Sequence, residues 1–251
     1  MYYRFLFLLL FSFSLIGCRQ TKQEIVFRGN ITHYSNHQWL YISELTLDGF
    51  TLFDSTEIKN GEFNFTLKST DEISCQRRST PTFFQLSLQP NQAFTTLAKN
   101  GEVLEIEADA RNMAKSYNIK GAEDARLMNR LDKQLALFID STDILTSIYQ
   151  SEIENDSVRG LVEKAYNQLV YNHTTFLKDF IAENPTSIAT IAAFYQRYNR
   201  KIFFIEDENL PLLEQIYQQL VIIYPDNENI KWINNRIEMI KFKLAQENEN
   251  K

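Results

Sequence analysis

Phe50-Thr51-Leu52-Phe53-Asp54-Ser55-Thr56-Glu57-Ile58-Lys59-Asn60-Gly61-Glu62-Phe63-Asn64-Phe65-Thr66-Leu67-Lys68 is the stretch on which the reading of the fold turns. Phe63 and Phe65 alternate with Asn64 and Thr66, the period-two pattern of a strand with one buried face. Asn60-Gly61 tolerates the positive φ angles of a type I′ turn, so residues 50–59 and 62–68 are expected to pair as a hairpin. The same grammar extends outward. Ile25-Val26-Phe27, Gln38-Trp39-Leu40-Tyr41-Ile42 and Phe83-Phe84-Gln85-Leu86-Ser87-Leu88 are further β-branched or aromatic runs between polar breaks. Residues 94–98 and 103–108 flank Asn100-Gly101, a second expected hairpin. Some seven strands at this spacing predict an antiparallel β-sandwich or barrel over residues 24–120.

After Gly121 the period becomes helical. Leu127, Leu131, Leu135, Phe138, Leu145 and Tyr149 form one narrow stripe, and Val162, Tyr166, Leu169, His173, Phe176 and Phe180 form another. The polar link between them carries Asn155-Asp156-Ser157, good N-cap residues, so a long antiparallel helical hairpin is expected. Helices are also expected after Asn184-Pro185, from about Asn209 to Tyr224, and along Ile230, Ile233, Ile237, Ile240 and Leu244. The expectation is thus a segregated α+β chain, with an all-α domain of about five helices over residues 121–251.

The first seventeen residues have another character. Arg4 precedes an apolar run from Phe5 to Ile16, followed by Gly17 and Cys18. This is the layout of a secretory signal. The run is too short for the roughly 20 residues of a membrane-spanning helix. Leu15-Ile16-Gly17-Cys18 resembles the lipobox of bacterial lipoproteins, which implies lipid on Cys18, a polar tether over residues 18–23, and a position in the cell envelope. Lipid chains on Cys18 would bind the membrane by burial of their methylene groups. The rest of the chain agrees with a structured envelope protein. Of 251 residues, only 7 are Gly and 5 Pro, and the net charge of −6 comes with no basic cluster beyond Arg77-Arg78. Nucleic acid is therefore not an expected partner. The only other cysteine, Cys75, has no second thiol to pair with, and no Cys-x-x-Cys occurs. The arginines beside it would favour a thiolate.

Several segments together resemble a known arrangement. Residues 27–31 (Phe-Arg-Gly-Asn-Ile), 54–65, Asn100-Gly101-Glu102-Val103-Leu104-Glu105-Ile106 and Ile119-Lys120-Gly121 resemble the N-terminal β-domain, of unknown function, found in Bacteroidetes lipoproteins. Residues 180–187 and Tyr224-Pro225-Asp226-Asn227 resemble the helical linker that joins it to a thioredoxin-like domain of the membrane-tethered reductase type. Residues 1–251 carry no Trp-Cys-x-x-Cys, so that redox domain is not expected within them, and the resemblance implies architecture and location but no dithiol chemistry. It also implies an outer-membrane, periplasm-facing position.

No residue set reads as a catalytic site, and no metal or cofactor is expected. His33 and His37 are four apart but fall in a loop, where that spacing does not aim both at one metal. His173 reads as a core histidine. Glu206-Asp207-Glu208-Asn209 and Asp226-Asn227-Glu228-Asn229 read as helix-capping runs. Trp39, Tyr41, Phe83 and Phe84 read as core aromatics, or as the lining of a ligand groove. Tyr195, Arg197, Tyr198, Phe203 and Phe204 mix aromatic and arginine side chains in the manner of protein interfaces, and form the expected partner surface. The leading expectation is a non-enzymatic, lipid-anchored scaffold or adaptor for an envelope protein, such as a separate thioredoxin-like protein. The alternative is a lipoprotein that binds peptide or glycan in a cleft between its two halves.

Overall fold

The computed structural model describes residues 24–46, 49–89, 92–152 and 155–249. The expected signal segment 1–17, Cys18, the expected tether over residues 18–23 and the last two residues lie outside the described residues. The chain is α+β and segregated as expected. Two four-stranded sheets come first, followed by helices. One sheet has the order β4-β1-β7-β8, built from Glu62–Lys68, Glu24–Thr32, Val103–Asp109 and Asn118–Lys120. The other has the order β3-β2-β5-β6, built from Gly49–Glu57, Trp39–Thr46, Thr82–Gln89 and Gln92–Ala98. Between them lies a core that includes Phe27, Ile31, Ile42, Phe65, Phe84 and Leu104, all buried. Each such side chain contributes about 1.5–3 kcal/mol when taken from water.

Two details of the sandwich differ from the expectation. β1 and β7 run parallel, with Phe27 opposite Leu104 and Ile31 opposite Ala108. Neither Asn-Gly turn closes a hairpin between extended strands. Asn60 (φ 54°) and Gly61 (φ 84°) do make the tight turn, and Lys59 and Glu62 exchange backbone hydrogen bonds of 3.1 and 2.9 Å. Beyond that single bridge the strands part. β3 pairs with β2 and β4 pairs with β1, in opposite sheets. Asn100-Gly101 likewise passes the chain from β6 to β7, across the sandwich. A turn sets local geometry only. Each flanking strand carries an apolar face that is buried by a longer register with another partner. The true hairpins are β2–β3 and β5–β6. Asp48-Gly49 falls at the junction of the two strands of the first, a pair not read as a turn from the sequence.

Two short helices bridge the sheets: α1 (Glu72–Arg77), capped by Asp71 through a capping box, and α2 (Met113–Ser116). The helical half holds α3 (Glu123–Ser151), α4 (Asp156–Glu183), the short α5 (Ala189–Phe194), a two-residue β-ladder of β9 (Arg197–Tyr198) with β10 (Lys201–Ile202), α6 (Leu210–Ile223) and α7 (Glu228–Glu249). The α3–α4 hairpin is as expected. No described helix is long and apolar enough to cross a membrane.

The two halves pack on each other. Phe83 and Leu97 point out of the β3-β2-β5-β6 sheet into the helical core, beside Leu127, Leu131, Phe180 and Ile188, and Leu45 packs against the same cluster. Asn227, at the start of α7, is buried and donates to Thr80 Oγ1 (2.8 Å) and to the Pro81 carbonyl (3.3 Å). From the other direction Asn129 of α3 donates to the Tyr117 carbonyl (2.8 Å), and the Tyr117 hydroxyl donates to Asp132 Oδ2 (2.7 Å).

Candidate functional site

α3 leaves the sandwich in a definite direction. It begins where Gly121 passes the Val103 backbone, at the end of the sandwich where Glu24 enters. It then runs along β8 and α2, bonding Tyr117 and then Asn118 through Lys133 (2.5 Å), and ends its contact with the sandwich where Asp140 pairs with Lys115. Among the described residues from 141 to 172, Val162 alone is buried. The distal parts of α3 and α4 therefore form an arm that extends past the sandwich, away from the entry of Glu24. At 1.5 Å per residue, residues 141–151 reach about 16 Å beyond it. The expected seam residues Leu145 and Tyr149 are half-buried between the two helices, and Arg159 donates to the Tyr149 hydroxyl across the seam (2.5 Å). Leu137 (61% exposed), Ile144 (62%) and Ile148 (39%) form a second stripe on α3 that faces solvent, and Leu161 and Tyr171 are exposed on α4.

At the base of the arm lies the segment expected to bind a partner, and the structure divides it. Phe203 and Phe204 are buried, which corrects their placement on the surface. Phe203 packs edge-on against Phe138 at 5.3 Å, and Phe204 stacks on Phe194 at 5.5 Å. Tyr195 is half-buried, with its ring against Trp232 and its hydroxyl donating to Glu206 Oε1 (2.9 Å). Burial and the Glu206 carboxylate both push its pKa up. Arg197 is exposed and Tyr198 half-exposed, on the β9–β10 turn. Ile202 and Ile205, which the sequence did not single out, are exposed instead of the two phenylalanines between them. The tight ladder of Lys201 with Tyr198 sets which side of the run turns inward, and four consecutive apolar residues carry no periodic signal for that choice.

His173 is a core residue, as expected. Its Nε2 donates to Gln196 Oε1 (2.7 Å), its ring lies 4.6 Å from that of Phe203, and burial holds its pKa down. Nδ1 has no hydrogen-bond partner among the described residues. His33 and His37 stand in a loop with positive φ angles and turn to different carboxylates, Asp109 (3.1 Å) and Glu57 (2.7 Å). Among the described residues no three His, Cys, Asp or Glu side chains converge as metal ligands would.

Asn209 stands at the N-cap position of α6, but no side chain of the run Glu206–Asn209 makes a capping hydrogen bond there, which corrects that expectation in part. Glu206 pairs with Arg236, and Asp207 with Lys243 (2.5 Å), both on α7. Arg236 holds the Glu206 carboxyl below its usual range. Two cations on the neighbouring helix outweigh the partial charge of one helix end. The second run behaves as expected, since Asn227 Oδ1 accepts from the Asn229 backbone (3.0 Å) at the start of α7. Of the four aromatics read as core or groove, Phe83 and Phe84 are buried, while Trp39 and Tyr41 are exposed on the outer sheet face. The arginines beside Cys75 are engaged elsewhere. Arg78 is buried and donates to Glu44 (2.7 Å) with its guanidinium 4.5 Å over the Phe53 ring, and Arg77 lies 3.5 Å from Glu228. The Cys75 thiol approaches the Ser69 carbonyl at 3.6 Å.

Two depressions accompany these surfaces. A polar trough of about 450 Å³ lies on the outer face of the β4-β1-β7-β8 sheet, crossed by the Arg28–Glu105 ion pair (2.6 Å). A cleft of about 260 Å³ lies between the halves, lined by Leu45, Gln76, Arg77, Thr82, Ile223 and Asn229 among others.

With this geometry in hand, the chain can be set beside known proteins. No family model matches the sequence, and neither does any curated protein. Among solved structures, a candidate cell adhesion protein from Bacteroides ovatus is similar at 11% identity and a TM-score of 0.23. The similarity covers 41% of this chain and 44% of that one, so the match spans less than half of the relative's length. That likeness is too slight to assign a fold or an activity.

Proposed function

We propose that this chain is a lipid-anchored envelope protein that acts as a scaffold or adaptor, meeting a protein partner through the α3–α4 arm and the β9–β10 turn at its base. One observation carries the reading. The arm exposes a second apolar stripe at Leu137, Ile144 and Ile148, over a length where the hairpin buries almost nothing of its own. Isolated surface leucines are common, but an aligned stripe at three–four spacing on a projecting helix is the form in which helices dock on partners. Arg197 and Tyr198 lie alongside, of types enriched at such interfaces. The arm also points away from the end at which the tether from Cys18 enters, so it would be held off the bilayer.

The test replaces residues 145–164 by a short turn, joining the two helices nearer the body. The body should melt within a few degrees of the parent, because only Val162 of its buried side chains is removed. Cross-linking in intact cells should recover a partner with the full chain and lose it with the shortened arm. Equal recovery from both would sink the arm as the docking element. A thioredoxin-like protein as the recovered partner would support a split reductase system.

The second reading is a lipoprotein that binds a ligand between its halves. It is favoured by the cleft at that junction, whose lining includes the Arg77–Glu228 ion pair. At about 260 Å³ the cleft is below the usual range for drug-sized ligands, roughly 300–1,000 Å³, and suits only a short peptide end or a single sugar. Such a ligand should raise the melting temperature in proportion to the logarithm of its concentration.

A further inference from the structure

We infer that the end of the molecule where Glu24 enters is a bilayer-contacting surface, seated on the interface of a zwitterionic membrane by a rim of apolar side chains. The inference rests on the proposed lipid at Cys18, and on where the folded chain begins. Residues 19–23 are all that separate Cys18 from β1, and fully extended they span about 18 Å. The Glu24 end must therefore stay close to the membrane surface.

That end is identifiable residue by residue. The Glu24 carbonyl accepts from Gly101 (2.9 Å), and Glu24 stands opposite Lys68 in the ladder. α1 closes the same end, since Arg78 Nη1 donates to the Lys68 carbonyl (3.4 Å) and Asn100 donates to the Arg78 carbonyl (2.7 Å). Ile73, on α1, is 69% exposed. It shares the rim of the cleft with Leu45, Thr46 and Ile223. Thr46 and Leu45 are paired with Gly49 and Phe50, which places exposed Phe50 on the same rim, and Leu52 (59% exposed) two residues along the same strand face. Ile222, in the last turn of α6, is 81% exposed. Strand β3, helix α1 and helix α6 thus turn Phe50, Leu52, Ile73, Ile222 and Ile223 outward around one end, which is the end the tether must bring to the membrane.

The charges on this rim favour a neutral surface. Arg77 faces Glu228 at 3.5 Å and Lys231 faces Asp226 at 3.4 Å, while Asp71 and Glu72 at the start of α1 add negative charge. A strongly anionic bilayer would be repelled, whereas apolar side chains enter the headgroup region of any fluid bilayer.

The test uses the full chain purified from membranes and reconstituted in phosphatidylethanolamine vesicles. Photoreactive benzoylphenylalanine replaces Leu52, Ile73 or Ile222 in turn, and Ile144 or Leu161 on the arm as controls. All five are exposed, so each labelled protein should melt with the parent, which the experiment verifies. Lipid adducts at the rim positions are expected at least about tenfold above those at the arm positions. Equal labelling at both places would overturn the inference, as would cross-links from the rim to a protein instead of lipid in cells. Intact mass reads the state of Cys18 separately. An acylated chain without rim adducts overturns this inference and leaves the anchor standing, whereas an unacylated chain removes both.

Discussion

Asp132 shows what a single side chain contributes at the seam between the halves. Burial pushes its carboxyl up to about 6, and the hydrogen bond from the Tyr117 hydroxyl only partly offsets that. Because the folded pKa lies above the unfolded value, the stabilisation is fully present below about 3.8 and is lost as pH rises through about 6. Asp132→Asn keeps an acceptor for Tyr117 and carries no charge. It should be more stable than the parent at pH 7.5 by an amount on the order of 2 kcal/mol, after allowance for its partial exposure, and nearly equal to it at pH 4. Melting temperatures of both proteins from pH 4 to 7.5 check this. Asp124 and Glu102 are raised for the same reason and remain in both proteins, so the difference isolates Asp132. The buried Glu44–Arg78 pair is the other residue-scale feature of note, since loss of one partner would leave an uncompensated charge in the protein. Of these groups the sequence marked only Arg78, as a neighbour of Cys75 rather than as the partner of Glu44, because their chemistry depends on neighbours far away in sequence.

Two glycines separate necessity from accident at the scale of elements. Gly121 sits at φ 110° in the turn from β8 to α3, and a Cβ there would stand 1.9 Å from the Val103 carbonyl oxygen. Gly121→Ala should cost at least about 2 kcal/mol, and with it the departure of α3 from the sandwich. Gly160 lies in α4 with open space where a Cβ would be, so Gly160→Ala should stabilise by about 0.5–1 kcal/mol. Urea unfolding of the two variants should therefore move in opposite directions. The helices were legible in sequence because their stripes repeat at three–four spacing over many turns. The partners of β3 and β4 were not. Asn60-Gly61 encodes a tight turn, but which strands lie beside it is decided by long-range registers that no local pattern carries.

For the molecule as a whole, the shared core matters most. Phe83 and Leu97 belong to strands yet are buried among helices, so neither half covers its own apolar surface. The chain should unfold in one calorimetric transition. Leu97→Ala should lower that single transition by about 2–5 kcal/mol rather than split it. Two separated transitions would show that the halves are independent.

By itself, the sequence determined the change of period at Gly121, the segregation of strands from helices, the helical hairpin, and the lipobox-like start at Cys18. These are local or periodic features, written in the spacing of side chains along the chain. The tertiary structure alone decided that the Asn-Gly turns cross between sheets, that Phe203 and Phe204 face inward while Ile202 and Ile205 face outward, and that the arm extends away from the Glu24 end of β1. Each of those depends on which surfaces meet, and burial rewards contacts between residues far apart in the chain, as Asn227 and Thr80 are.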